Sequence, residues 1–377
     1  MDLDFTREQQ MLRDSARSFF AKECPRALLK TMKDDEQGYP QELWRKMAEL
    51  GWMGVMIPEE YGGIGGSFLE LAILLEAMGE ACMPGPYFST VVLGGLAIMT
   101  AGNEQQKRQL LPRIASGDVI LSLAVMEPEA WYGVAGIAAR AMEREGGYVI
   151  AGTKLFVENA HSADFIICAA RTDERLGPEG GLTLFLVDGK SPGVRVTPLR
   201  TLAYEKQCEV TFAGVLVPNS AVLGESNGAF PVLDELNMKA AVAKCAEMVG
   251  ALQATLDMTV QYAKERIQFD RPIGSFQAIQ HHCANMLIDV DGTRFITYQA
   301  AWKIAAGLEA GMAASMAKAW TGSAGRRVTL LGHQIHGAIS FCEEHDMHLY
   351  YRRAKAAEIA FGDGDYHLDE VARRLGL

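Results

Sequence analysis

The hydrophobic pattern of this 377-residue chain changes period twice, and that change limits the fold more than any single motif does. Near the N-terminus, Met11, Leu12, Ala16, Phe19 and Phe20 recur at helical spacing after Thr6-Arg7-Glu8-Gln9, whose Thr and Gln suit a capping box. Leu43, Met47 and Leu50 repeat the pattern and Gly51 stops it. Four glycines within 62–66 forbid a helix there, and further helices are expected at about 68–82 and 87–102. From about 118 the pattern shortens. Residues 118–126 form an apolar run, and 148–152, 165–169, 182–187 and 210–212 are short, β-branched or aromatic segments divided by Gly, Asp and Pro. They predict a compact barrel or sandwich, with an exposed polar loop at 172–181. Helical patterning returns from about 228, with one long helix over 240–266 and two more over 276–307 and 310–331. The fold class is therefore α+β, with a helical domain at 1–120, a β domain at 121–227 and a helical domain at 228–377.

Composition narrows the function. A net charge of −11 without a basic stripe argues against a nucleic-acid partner. Seven scattered cysteines with no CxxC fit reduced thiols and no zinc site. No apolar run is long enough for a membrane span, and the acidic start Met1-Asp2-Leu3-Asp4-Phe5 lacks the character of a targeting peptide, so a cytoplasmic location is expected.

Three motifs stand in order along the chain. The first is Pro58-Glu59-Glu60-Tyr61-Gly62-Gly63-Ile64-Gly65. The second is Arg266-Ile267-Gln268-Phe269-Asp270-Arg271-Pro272-Ile273-Gly274-Ser275-Phe276-Gln277. The third is Gln334-Ile335-His336-Gly337, followed by Arg352-Arg353-Ala354-Lys355-Ala356-Ala357-Glu358-Ile359-Ala360-Phe361-Gly362-Asp363. Arg266 alone reads as a planar fork of donors suited to a pyrophosphate, or as a solvated helix-end arginine. Together, across essentially the whole chain, the motifs resemble those of the acyl-CoA dehydrogenase family. The resemblance implies a C-terminal four-helix bundle and FAD as cofactor. It implies an acyl-CoA substrate, an electron-transfer flavoprotein as partner, and a homodimer, homotetramer or heteromer. It also places Arg266 at the FAD pyrophosphate, Phe269 at the adenosine half, and Gln277, Gln334, Gly337 and Asp363 at further cofactor contacts. Met126 and the pair Phe156-Val157 stand where relatives bring chain against the flavin ring; read without the family, they are β-domain core.

The same resemblance exposes a gap. Phe361 stands at the usual position of the glutamate that removes the substrate's α-proton, and the alternative position, Ala240, also lacks a carboxylate. The resemblance implies two oxyanion donors, a ribityl hydroxyl of FAD and the backbone N–H of the base residue, and Phe361 retains the second whatever its side chain. Loss of one oxyanion donor costs about 10²–10³ in rate, and general-base catalysis contributes about 10²–10⁴. Glu247, seven residues beyond Ala240 on one helix face, is the leading replacement base, with an ion pair to Lys244 as the alternative reading. Asp363 and Asp365 are the next candidates, or helix caps, and Glu158 and Glu129 follow. The expected function is an FAD-dependent acyl-CoA dehydrogenase with a relocated base, acting on a bulky, cyclic or otherwise atypical acyl chain. The alternatives are a base-lacking subunit of a heteromer, and an elimination that needs no base. Small residues at Gly94, Ala240 and Ala241 suggest either room for a wide acyl group or close helix packing.

Overall fold

The computed structural model describes residues 4–129, 132–134 and 136–377. Ala130 and Trp131, in the stretch after Pro128, and the first three residues lie outside the described residues. The N-terminal third holds α1 (Arg7–Glu23), α2 (Arg26–Met32), α3 (Gln41–Glu49), α4 (Phe68–Glu80), a π-helix (Phe88–Gly95), α5 (Leu96–Ala101) and α6 (Glu104–Ala115). Eight strands follow: β1 (Leu121–Ala124), β2 (Arg140–Arg144), β3 (Gly147–Glu158), β4 (Phe165–Arg171), β5 (Leu182–Asp188), β6 (Val194–Leu199), β7 (Gln207–Pro218) and β8 (Val222–Leu223). Then come α7 (Ala229–Glu265), the hairpin strands β9 (Ile267–Gln268) and β10 (Arg271–Pro272), α8 (Gln277–Ala305), α9 (Gly311–His336), α10 (Met347–Ile359) and α11 (Gly364–Arg374). Helices, sheet, helices is the expected plan. The long helix starts eleven residues before the sequence reading placed it, and the helix expected at 87–102 is π-helical over its first half.

The chain divides into two compact units. The first comprises Met1–Lys30, Ser67–Met83 and Ala241–Leu377. Its α1 opens with the Thr6–Gln9 capping box, and α4 opens with a second, Ser67–Glu70. Helices α4 and α7 touch backbone to backbone: a Cβ on Gly79 would sit 1.8 Å from the Glu247 carbonyl oxygen, and one on Gly250 would sit 1.8 Å from that of Glu76. Leu252 of α7, Val290 of α8, Val328 of α9 and Ala357 of α10 meet in one apolar core, where each large buried side chain contributes about 1.5–3 kcal/mol. Buried Glu76 answers its desolvation with the Tyr298 hydroxyl at 2.7 Å and the Arg294 guanidinium at 3.4 Å.

The second unit comprises Thr31–Gly66 and Pro84–Ala240. Its eight-stranded sheet runs β6-β7-β3-β2-β4-β5-β8, with β1 paired parallel to β4. Strands β4 and β5 are buried on both faces, so they read as continuous apolar runs. Strands β2 and β6 are largely exposed. The π-helix packs on β1, where a Cβ on Gly94 would meet the Leu121 Cβ at 2.6 Å. Gly94 therefore marks close packing and adds no room for an acyl chain.

Candidate active site

In the second unit, the expected flavin-face residues sit on a built support. β3 and β7 shift register between Lys154 and Val157, so three steps on β3 oppose two on β7. A bulge of this kind re-aims a side chain. Phe156 occupies it at φ 54° and is half exposed. A bulky residue at positive φ is strained and marks a position worth a functional question. Val157 turns the other way, fully into the core, so only its backbone is available to a ligand. Beneath the bulge Lys154, with no solvent exposure, donates to the Glu127 carboxylate at 2.6 Å and the Val125 carbonyl at 3.1 Å. Glu127 also accepts from the Ala138 and Ala139 amides, and Leu155 N–H donates to the Met126 carbonyl at 2.9 Å. Met126 and Phe156 are thus tied together by a buried ion pair that the sequence reading did not pick out.

In the first unit, the second motif folds as a tight hairpin. Ile267 and Gln268 pair with Pro272 and Arg271, leaving Phe269 and Asp270 as the two-residue turn. Both have positive φ, 53° and 61°, the geometry of a type I′ turn that ordinarily selects Asn-Gly. The Phe269 ring is 85% exposed and meets Phe276 edge-on at 6.0 Å between centroids. Arg266, Gln277 and Gln334 are exposed, and their side chains make no hydrogen bond or ion pair among the described residues. Gly337 follows α9 at φ 69°, and a Cβ there would point into open space. Its turn is fixed by Ser340, whose hydroxyl donates to the Gly337 carbonyl at 2.7 Å and sits 2.7 Å from His333 Nδ1. A glycine at this position could not make these bonds.

The turn after α10 carries the third strained phenylalanine. Phe361 has φ 58° and Gly362 has φ 101°. A Cβ on Gly362 would stand 2.4 Å from Tyr366 Cδ1 and 2.7 Å from His367 Nε2, so only glycine fits. Lys318 of α9, 2% exposed, donates to the carbonyls of Glu358 at 2.9 Å and Gly362 at 2.7 Å. His367 donates from Nε2 to the Phe361 carbonyl at 3.0 Å. Burial is the main cause that lowers Lys318 to about 8 and His367 to about 4, so the imidazole is neutral at pH 7 with its proton on Nε2. The sequence reading missed both residues, although a lysine set in the small-residue run 311–319 is a visible signal.

The carboxylate candidates are mostly engaged. Glu247 is partly exposed and accepts from Lys244 Nζ at 2.7 Å, the alternative named for it from sequence. Asp363 caps α11, accepting from the Tyr366 N–H at 2.9 Å, while Asp365 and Glu129 are exposed. The Glu158 carbonyl accepts from Ser122 Oγ at 2.6 Å. Among the described residues no group of three metal-ligating side chains occurs, and no helix is long and apolar enough to cross a membrane.

Comparison with known proteins places these features. The acyl-CoA dehydrogenase N-terminal, middle and C-terminal domain descriptions match residues 6–118, 122–215 and 230–376, in order. The chain belongs to the acyl-CoA dehydrogenase family. It is 32% identical to the probable acyl-CoA dehydrogenase YngJ of Bacillus subtilis (strain 168), across 100% of both proteins. Butyryl-CoA dehydrogenase from Megasphaera elsdenii superposes with a TM-score of 0.92 at 28% identity, covering 100% of each chain. The ChsE4–ChsE5 complex from Mycobacterium tuberculosis supplies a chain that superposes with a TM-score of 0.91 at 30% identity, covering 100% of this chain and 99% of that one. Acyl-CoA dehydrogenases are flavin-dependent oxidoreductases, and the residues present fit such a group in each unit. Phe156 offers an aromatic wall on the second. Arg266, Phe269, Gln334 and Gly337 on the first turn outward with donors, a ring face and open space.

Proposed function

We propose that this acyl-CoA dehydrogenase binds FAD and introduces a Cα–Cβ double bond into a bulky or cyclic acyl-CoA, passing electrons to an electron-transfer flavoprotein. The observation that carries the reading is the strained hairpin tip, which holds Phe269 in solvent beside an Arg266 free to meet a pyrophosphate. A ring so exposed suits contact with a cofactor held in a second subunit, hence a dimer or larger homo-oligomer. Bound flavin would supply the hydride acceptor for Cβ. On this reading Phe156 would wall the flavin ring, Arg266, Gln277 and Gln334 would hold the cofactor, and the Phe361 N–H would donate to the thioester oxygen.

The α-proton needs an acceptor, and Glu247 serves only when its carboxylate parts from Lys244. That ion pair favours a second reading, in which the acceptor comes from another subunit type and this chain contributes the remainder of the site. Anaerobic mixing of the flavin-loaded chain with a panel of linear, branched and cyclic acyl-CoAs separates them. Bleaching that Glu247→Gln abolishes assigns the base to Glu247. Without bleaching in the wild type, Phe361→Glu should raise the reduction rate by about 10²–10⁴, the worth of a positioned base. A Phe361→Glu chain that binds acyl-CoA and stays unbleached with the whole panel would falsify the dehydrogenase reading.

A further inference from the structure

The α10–α11 turn is held by more than its chain conformation. Three carbonyls, those of Glu358, Phe361 and Gly362, receive side-chain donors from two different helices, Lys318 of α9 and His367 of α11. Burying Lys318 costs solvation that its two carbonyl hydrogen bonds and the nearby acids Glu358 and Asp363 must offset, so the carbonyls it reaches are held in place by the same bonds that keep the lysine buried. His367, 4% exposed, leaves Nδ1 without a partner among the described residues, so it too gives up solvation to reach one carbonyl. The peptide planes of Glu358, Phe361 and Gly362 are pinned on both sides of the plane that carries the Phe361 N–H. That plane follows a helix end, where the Ala360 N–H still bonds the Ala356 carbonyl at 3.1 Å. The N–H therefore has little freedom to turn away, even though Phe361 sits in a conformation that bulky side chains resist.

We infer that Lys318 and His367 are positioning residues that aim the Phe361 N–H at the thioester oxygen by clamping the carbonyls around it. The inference rests on the proposed role of that N–H as an oxyanion donor. It assigns to two buried side chains the preorganisation that makes such a donor effective, because a donor that must first reorient loses the benefit of a fixed dipole.

Two measurements test it on the flavin-loaded protein. The first uses acetoacetyl-CoA labelled with ¹³C at the thioester carbonyl, whose Cβ has no hydride to give. Bound to the wild type, its infrared carbonyl band should fall in frequency relative to water. Lys318→Met and His367→Leu should each lose about half of that shift or more, and His367→Gln, which keeps a side-chain N–H, should recover it. The second is amide hydrogen exchange of residues 358–367 without ligand, expected to be about tenfold faster in Lys318→Met and His367→Leu, with the rest of α9–α11 unchanged. A wild type that does not bind the probe, or binds it without shifting the band, breaks the donor role of Phe361. A shifted wild-type band that both variants retain overturns the positioning role alone, as does unchanged exchange. Should Lys318→Met fail to fold, the His367→Leu and His367→Gln pair carries both measurements.

Discussion

Two turns of the first unit hold a phenylalanine in the left-handed region, and they are stabilised in opposite ways. At the hairpin tip, Phe269 and Asp270 are strained, exposed and almost without local support. After α10, Phe361 is strained too, yet its neighbouring carbonyls are tied to Lys318 and His367, and Gly362 is packed against Tyr366. Strain of this kind costs roughly 1–3 kcal/mol and persists only where the surroundings over-determine it. The second turn has its surroundings within the chain. The first has far less support among the described residues, and on the proposed reading the bound cofactor supplies the rest.

The comparison is easiest to break at Gly362. Gly362→Ala puts a Cβ into Tyr366 and His367 at φ 101°, and should cost about 3 kcal/mol or more in chemical denaturation. A loss under 1 kcal/mol would mean that the clamped turn is not rigid.

The clamp should also show in the pH dependence of stability. The folded Lys318 binds its proton less tightly than the unfolded lysine, so between pH 8 and about 10.5 this group by itself adds stability as pH rises, opposite in sign to the buried thiols of Cys24, Cys82 and Cys168, which burial pushes up to about 11. The Lys318 contribution is on the order of 1–3 kcal/mol, and it should appear in urea titrations as the difference in slope between the wild type and Lys318→Met across that range. His367 gives the same sign at lower pH. Folded it is neutral down to about 4, so stability falls as pH drops from 6.5 toward 4, and His367→Gln should reduce that fall. His333, His336, His345 and His348 are shifted down as well and keep part of the acid sensitivity.

Phe269→Gly sharpens the other side. It relieves the φ 53° strain, so stability should hold or improve by up to about 1 kcal/mol. Flavin retained per chain should nonetheless drop, with affinity lower by roughly 5–10-fold, the worth of one aromatic contact of about 1–1.5 kcal/mol. Stability and flavin content falling together would show that the tip serves the fold instead.

The three-part plan was legible because it rests on burial. Strands β4 and β5 are covered on both faces and appear as unbroken apolar runs, and α7, α8 and α9 carry long helical periods. Strands β2 and β6 were missed because their residues are mostly exposed and the apolar signal is gone. Motif order brought Arg266, Phe269 and Gln334 forward, but no sequence signal marks a phenylalanine at positive φ, since the propensity points the other way. Glu247 was read from sequence as a base or as the partner of Lys244, and its partly exposed carboxylate is paired with that buried lysine. Lys154 and Lys318 were passed over because a lysine is expected in water, and only tertiary packing shows which carbonyls it serves.

The π-helix at Phe88–Gly95 constrains how this part of the chain can change in length. Its wide turns place Ser89 within 3.3 Å of the Asn159 amide, Thr90 Oγ1 3.2 Å from the Leu121 N–H it accepts from, and Gly94 against Leu121. Removing one residue would let the segment wind as an ordinary helix and rotate these contacts out of phase. The segment is therefore a register device: substitutions along it are graded in effect, but a single deletion would disengage every one of these contacts at once.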